Sequence, residues 1–184
     1  MTTYTVCVIV GSLRKDSLNK RLAHGLTRLA PQNFQFQFVN IGDLPLYNEE
    51  DDANQSLPVK RVKHAIEESD GVLFITPEYN RSIPGVLKNA LDHGSRPYSH
   101  NSWSKKPAGI IGISLGAMGT SMAQQHLRNI LAYLNMPTLG QPEAFLKMSD
   151  DFFTEDGDIG EDSRSFLQDW MSQFTKWIAL HSKK

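Results

Sequence analysis

Three short stretches of the chain are apolar at nearly every position: Thr5 to Val10 (T-V-C-V-I-V), Gly71 to Thr76 (G-V-L-F-I-T) and Ala108 to Ser114 (A-G-I-I-G-I-S). Runs this short and this rich in β-branched residues predict strands covered on both faces, as in the middle of a parallel sheet. Gln35 to Asn40 (Q-F-Q-F-V-N) alternates polar and apolar instead, which predicts a half-exposed strand at a sheet edge. Thr138 to Leu139 and Ala144 to Leu146 are the candidates for a fifth strand.

Between these runs the apolar spacing changes to three and four. Leu18, Leu22, Leu26 and Leu29 lay a stripe along a helix that Pro31 terminates. Ser56 is placed to cap a second helix carrying Val59, Val62 and Ile66, with Asp70-Gly71 as its exit. Ser82 is expected to cap, and Pro84 to open, a third helix bearing Val86, Leu87, Ala90 and Leu91 and ending at Gly94. Met122, Ile130, Leu131 and Leu134 mark a fourth helix, stopped before Pro137. Phe166, Trp170, Phe174 and Trp177 mark a fifth. The acidic N-E-E-D-D (Asn48 to Asp52) reads as a loop, and T-E-D-G-D-I-G-E-D (Thr154 to Asp162) as a surface turn.

Strand and helix thus alternate along the whole chain, with no internal repeat or linker. Such alternation implies an α/β fold, a parallel sheet between two helical layers. Five strands in 184 residues match the flavodoxin-like order 2-1-3-4-5 within one domain, residues 1–184. In this order the loops after strands one, three and four surround the switch point, where ligands collect at the carboxyl ends of the strands.

Charge narrows the choice of ligand. The formal net charge is -1, and no run of adjacent Lys or Arg, the Lys105-Lys106 and Lys183-Lys184 pairs included, is longer than two residues. Neither a nucleic acid nor an anionic membrane is expected as a partner, which favours small molecules. The first ten residues lack a basic n-region and a cleavage site, and no apolar run approaches a membrane span of about 20 residues. A soluble cytoplasmic protein is the expectation. Cys7 is the only cysteine, which excludes an internal disulfide, and it is expected to be an inert packed thiol. The six histidines show no H-x-x-x-H or H-E-x-x-H spacing, so no metal site is expected. An EF-hand over Thr154 to Asp162 fails on register, because Gly157 at the sixth loop position puts Phe152 at the first.

The first loop, Gly11 to Asn19, offers the Ser12 and Ser17 hydroxyls, the Asn19 amide, Arg14 and the N–H groups of a helix start. These suit a phosphate monoester, and they equally suit simple helix capping. The loop lacks G-x-G-x-x-G and G-x-x-x-x-G-K-[ST], so neither a dinucleotide nor a nucleoside triphosphate is indicated. In the second loop, Tyr79 is placed to flank an aromatic ring or a partner surface. The third, Ser114 to Thr120, brings backbone N–H groups to another helix start; it serves either an electron-rich ring edge or glycine-dependent turn geometry.

G-S-L-R-K-D-S-L-N (Gly11 to Asn19), T-P-E-Y-N-R-S-I-P-G-V-L-K-N-A-L-D (Thr76 to Asp92) and S-L-G-A-M-G (Ser114 to Gly119) together resemble the NAD(P)H-dependent FMN reductase family, in its quinone and chromate reductase branch. D-L-P-L-Y (Asp43 to Tyr47) and Q-P-E (Gln141 to Glu143) extend the resemblance. The resemblance implies that Ser12, Arg14, Ser17 and Asn19 hold the FMN phosphate, with Leu13 and Leu18 also binding the cofactor. It places Pro77, Glu78, Tyr79 and Asn80 along the isoalloxazine. Ser114, Leu115, Gly116, Ala117, Met118 and Gly119 then border its pyrimidine end or the ribityl chain. Thr120 stands where many relatives carry a second glycine. Tyr79 and Arg81 are the expected substrate contacts, with cationic Arg81 favouring anionic acceptors or the NADPH 2'-phosphate.

The implied activity is ping-pong transfer of two electrons from NADPH or NADH, through FMN, to quinones, chromate, azo compounds or other acceptors. The flavin carries this chemistry, so no catalytic side chain is assigned. The resemblance also implies a homodimer, often paired into a homotetramer, with the helix after Pro84 in the contact and Arg128 and Tyr133 as further contact candidates. Two rival readings remain: a reductase supplying free reduced FMN to an oxygenase, and a flavodoxin-like electron carrier. The carrier reading lacks the strongly acidic balance and T-x-N-T loop such proteins carry.

Overall fold

Residue alternation along the central strands sorts the interior into two cores. In the computed structural model, which describes residues 2–182, β1 is Tyr4–Val10, β3 Gly71–Ile75 and β4 Ala108–Ser114. Val6 and Val8, Leu73 and Ile75, and Ile111 and Ile113 point into one core; Cys7 and Ile9, Val72 and Phe74, and Ala108 and Ile110 point into the other. Successive side chains of a strand face opposite ways, so an unbroken apolar run is what a sheet covered on both faces requires. Met1 and the Lys183-Lys184 pair lie outside the described residues.

The helices divide accordingly. Helices α1 (Leu18–Arg28) and α5 (Glu161–His181) cover the first face through Leu22, Leu26, Trp170 and Phe174. Helices α2 (Leu57–Glu68), α3 (Gly85–Gly94) and α4 (Ser121–Tyr133) cover the second through Val62, Ile66, Leu87, Leu91, Leu127 and Leu131. With β2 (Phe34–Phe38) at one edge and β5 (Phe145–Lys147) at the other, the sheet is parallel throughout in the order β2-β1-β3-β4-β5. The flavodoxin-like arrangement is therefore observed as expected. Burial pushes the Cys7 thiol up to about 12, which leaves it protonated and inert at neutral pH.

Several local expectations are corrected. The acidic segment is not a loop: Glu49–Asn54 form a 3-10 helix, capped by the Asn48 side chain accepting from Glu50 N–H at 3.2 Å. Ser82 does not cap α3; Pro84 occupies the N-cap and Gly85 begins the helix. Ser56 does hold the N-cap of α2, but without a side-chain bond. Thr138 makes only an isolated bridge to Ala108, so the fifth strand is the later candidate. The buried face of α5 runs through Leu167, Trp170, Met171, Phe174 and Ile178, one position on from the predicted stripe at either end, and Phe166 is exposed. On α4 the buried positions are Ala123, Gln124, Leu127 and Leu131, while Met122 is exposed.

Candidate active site

The ends of β1, β3 and β4 are held level by two backbone bonds, Gly11 N–H to Ile75 O at 2.8 Å and Thr76 N–H to Ile111 O at 3.0 Å. Beyond that rung β3 stops while β4 continues to Ser114. The Asn19 side chain takes the place of the missing strand: its Nδ2 donates to Ile113 O at 2.9 Å and its Oδ1 accepts from Ile113 N–H at 3.1 Å. The amide expected to hold a phosphate thus ties the start of α1 to the end of β4 through one donated and one accepted bond.

The rest of the first loop fits the phosphate reading. Ser17 caps α1, its Oγ accepting from Lys20 N–H at 3.3 Å. The N–H groups of Leu18 and Asn19, in the first turn, have no intrahelical acceptor and point out of the helix start. Ser12 is buried at the foot of the loop, and Arg14 is exposed above it with no ion pair among the described residues. Toward β2 the loop borders a cavity of about 310 Å³ lined by Ser12, Leu13, Lys20, His24 and Phe38.

The second loop is a tight turn. Tyr79 and Ser82 exchange both backbone bonds at 3.0 Å, and Asn80 and Arg81 take φ values of 52° and 62°. Two successive positive φ angles belong to a type I' turn, an ordinary conformation for asparagine and a strained one for arginine. Side chains anchor the turn to α4: Glu78 Oε2 accepts from Ala123 N–H at 3.0 Å, and Ser82 Oγ meets His126 Nδ1 at 2.7 Å. Pro77 is buried, whereas Tyr79 projects with 47% of its surface exposed.

The third loop closes on itself. Ser114 Oγ donates to Gly119 O at 2.6 Å, and Gly119 N–H donates to Gly116 O at 3.1 Å. Gly119 adopts φ +59°, and a Cβ there would lie 2.7 Å from the Phe145 carbonyl carbon, so glycine is required twice over. Gly112 is required by contact alone: a Cβ would sit 2.2 Å from Thr76 O and 2.4 Å from Thr120 Oγ1. Below the loop, buried Gln124 donates to Thr120 Oγ1 at 2.9 Å and Ala144 O at 2.8 Å. Sequence reading missed Gln124 and His126. Gln124 did carry a signal, a polar residue in the stripe Thr120, Gln124, Leu127, Leu131; His126 carried none.

Among the described residues no group of three His, Cys, Asp or Glu is placed to hold a metal, and no helix is long and apolar enough to cross a membrane. Leu13, Tyr79, Leu115 and Met118 expose large apolar surfaces around the strand ends, next to the donors of the first helix start. A ligand with an anionic tail and a flat, partly apolar head matches both features. These loops, on a doubly wound parallel sheet at its switch point, define a flavodoxin-like protein for a phosphate-bearing aromatic cofactor.

The family model for NADPH-dependent FMN reductase matches residues 4–151. The chain is 48% identical over 174 residues to the 2-hydroxy-1,4-benzoquinone reductase of Burkholderia sp, covering 94% of this chain and 95% of that protein. It is 45% identical over 179 residues to a quinone reductase of Pseudomonas putida, covering 97% and 96%. Among solved structures it is similar to FerB, a flavoenzyme NAD(P)H:(acceptor) oxidoreductase from Paracoccus denitrificans, with a TM-score of 0.94, 45% identity, and 98% of this chain and 100% of that chain covered. The chain belongs to the NADPH-dependent FMN reductase family. It is accordingly an oxidoreductase, with FMN as cofactor and NAD(P)H as electron donor.

Proposed function

We propose that this enzyme is an NAD(P)H:quinone oxidoreductase, acting as one FMN-binding domain on small quinones, with chromate, azo compounds and other acceptors as further substrates. The observation that carries the reading is the 48% identity, over nearly the whole chain, to a 2-hydroxy-1,4-benzoquinone reductase. Its support in the structure is the donor set described above, which fits FMN.

In this reading the first-turn N–H groups of Leu18 and Asn19, with Ser12, Arg14 and the capped start at Ser17, hold the phosphate. Leu13 covers the adjoining chain. Pro77, Glu78, Tyr79 and Asn80 lie along the ring, held there by the type I' turn and its two anchors on α4. Ser114 to Gly119 border the pyrimidine end, where the closed loop fixes the direction of its backbone N–H groups. Bound FMN supplies two-electron exchange with a nicotinamide and an acceptor that occupy the same space in turn. Tyr79 and Arg81 stand at the mouth of that space, and Arg81 favours acceptors or donors that carry negative charge.

We assign a homodimer through α3 and α4, capable of pairing into a tetramer, in the cytoplasmic setting that a nicotinamide donor requires. Tyr133, on α4, is 81% exposed, and Tyr98, just after α3, is also 81% exposed, which leaves apolar surface for a second copy to cover.

The experiment is to purify the protein, record its visible spectrum, and measure NADPH and NADH oxidation against benzoquinones, chromate and free FMN. The expected result is a flavin spectrum surviving gel filtration, and parallel double-reciprocal lines for quinone. Absence of bound flavin together with no FMN-dependent oxidation of NAD(P)H would refute the reading. Light scattering gives the oligomeric state.

A further inference from the structure

Helix α4 starts without a cap of its own. Thr120 occupies the N-cap with φ -125° and ψ 33°, makes no side-chain cap bond, and has its Oγ1 accepting from Gln124 inside the core. No acidic residue lies in the first turn. The free N–H at Ala123 is bonded instead by Glu78 Oε2, at 3.0 Å, from the loop after β3 and 45 residues earlier in the chain. One carboxylate therefore sits between the second and third loops, against the positive end of α4.

Magnitudes decide what this carboxylate does. A helix start carries roughly half an elementary positive charge. Alone, that charge would stabilise negative charge on a ring bordered by the third loop. Glu78 brings a full negative charge to the same end of the helix, and so reverses the sign of the field that α4 presents there. Its own loop is not free to swing the carboxylate away, because Tyr79 and Ser82 close the adjoining turn and Ser82 Oγ is held by His126 at 2.7 Å.

We infer that Glu78 is a positioning residue that lowers the reduction potential of the bound flavin by outweighing the positive end of α4. The inference rests on the FMN site proposed above. It makes reduced FMN a stronger donor to quinones, at the cost of a smaller driving force from the nicotinamide.

The test uses the holoenzyme and the variants Glu78→Gln and Glu78→Ala. Gln keeps an acceptor for Ala123 N–H and removes only the charge; Ala removes both. Affinity for oxidised FMN is measured first by fluorescence titration, then the midpoint potential by anaerobic dye equilibration at pH 7. For Glu78→Gln the expected result, read on the FMN-loaded variant, is a positive shift on the order of 30 mV. That shift equals a tenfold change in the ratio of affinities for reduced and oxidised flavin in a two-electron couple. Glu78→Ala shifts the same way and also binds FMN more weakly, so either variant reports if the other does not fold. A potential in Glu78→Gln equal to or below that of the unmodified enzyme would leave Glu78 as a helix cap only and overturn the inference. Failure of the unmodified protein to bind FMN would instead remove the site reading, and the inference with it.

Discussion

Replacing Asn19 with alanine separates stability from cofactor binding. The side chain satisfies two backbone groups of Ile113, through bonds of 2.9 and 3.1 Å, where Asn19 is 3% and Ile113 1% exposed. Alanine leaves the Ile113 N–H and C=O unpaired and beyond the reach of solvent. Each such group costs about 1–3 kcal/mol, and the gain in helix propensity returns only about 0.5 kcal/mol. The expected loss is about 2–4 kcal/mol, or roughly 5–15 °C in melting temperature for a chain of this size. Urea unfolding of the apoprotein, followed by circular dichroism, measures it. Asn19→Asp adds a check of sign. It accepts from Ile113 N–H but, when ionised, sets a buried charge against Ile113 O. Its folded-state pKa is therefore raised, and stability falls as pH rises through that value. Apoprotein stability within about 0.5 kcal/mol of native for Asn19→Ala, combined with lost FMN affinity, would refute this account and return the amide to the phosphate.

Gly112→Ala forces a Cβ to within 2.2 Å of Thr76 O and 2.4 Å of Thr120 Oγ1; it is expected to cost about 1–3 kcal/mol and to weaken FMN binding by displacing the third loop. Denaturant titration and FMN titration read the two effects. Arg81→Gly relieves a residue held at φ 62° and is expected to raise stability by up to about 1 kcal/mol, whereas Arg81→Ala keeps the strain and tests only the kinetic preference for anionic acceptors or NADPH. Arg61 hydrogen bonds hold the Asp43 carboxyl below its ordinary value of 3.8, so this pair stabilises above that pH and the contribution fades as pH falls through the lower folded value. Both partners are largely exposed, so Asp43→Asn costs at most about 1 kcal/mol, and less in high salt. Cys7, with its thiol pushed up to about 12, is expected to resist a thiol reagent at pH 8 until the protein unfolds in urea.

The sheet was legible because its three central strands are apolar on both faces and the period of the intervening segments changes cleanly. What the sequence could not convey was competition for the same polar group. Nothing local reveals that β3 ends a rung before β4, so the two bonds that Asn19 makes to Ile113 were not legible. Ser82 looked like a helix cap because its partner, His126, lies 44 residues away. For Glu78 the illegible part was the partner of its carboxylate, the start of a helix 45 residues later that lacks its own acidic residue. On α5 the spacing alone did not separate neighbours: Leu167 and Ile178 are fully buried, while Phe166 is exposed and Trp177 packs only at the margin of the core. The three loops do follow β1, β3 and β4 on neighbouring strands, a placement that topology alone dictates.

The two cores described above each enclose one fully buried indole. Trp170 is fully buried on the α1/α5 side and Trp103 on the α2/α3/α4 side. Their surroundings differ, since Trp103 Nε1 donates to Leu91 O at 3.0 Å while Trp170 Nε1 has no hydrogen-bond partner among the described residues. The third tryptophan, Trp177, packs at the margin of the Trp170 core with its Nε1 donating to Pro137 O at 3.0 Å, so the two faces of the sheet carry indoles in different polarity. Variants that keep only Trp103 or only Trp170, with the other two tryptophans replaced by Phe, would let each layer report its own emission, so that the order in which the two halves of the molecule assemble becomes a directly recordable quantity.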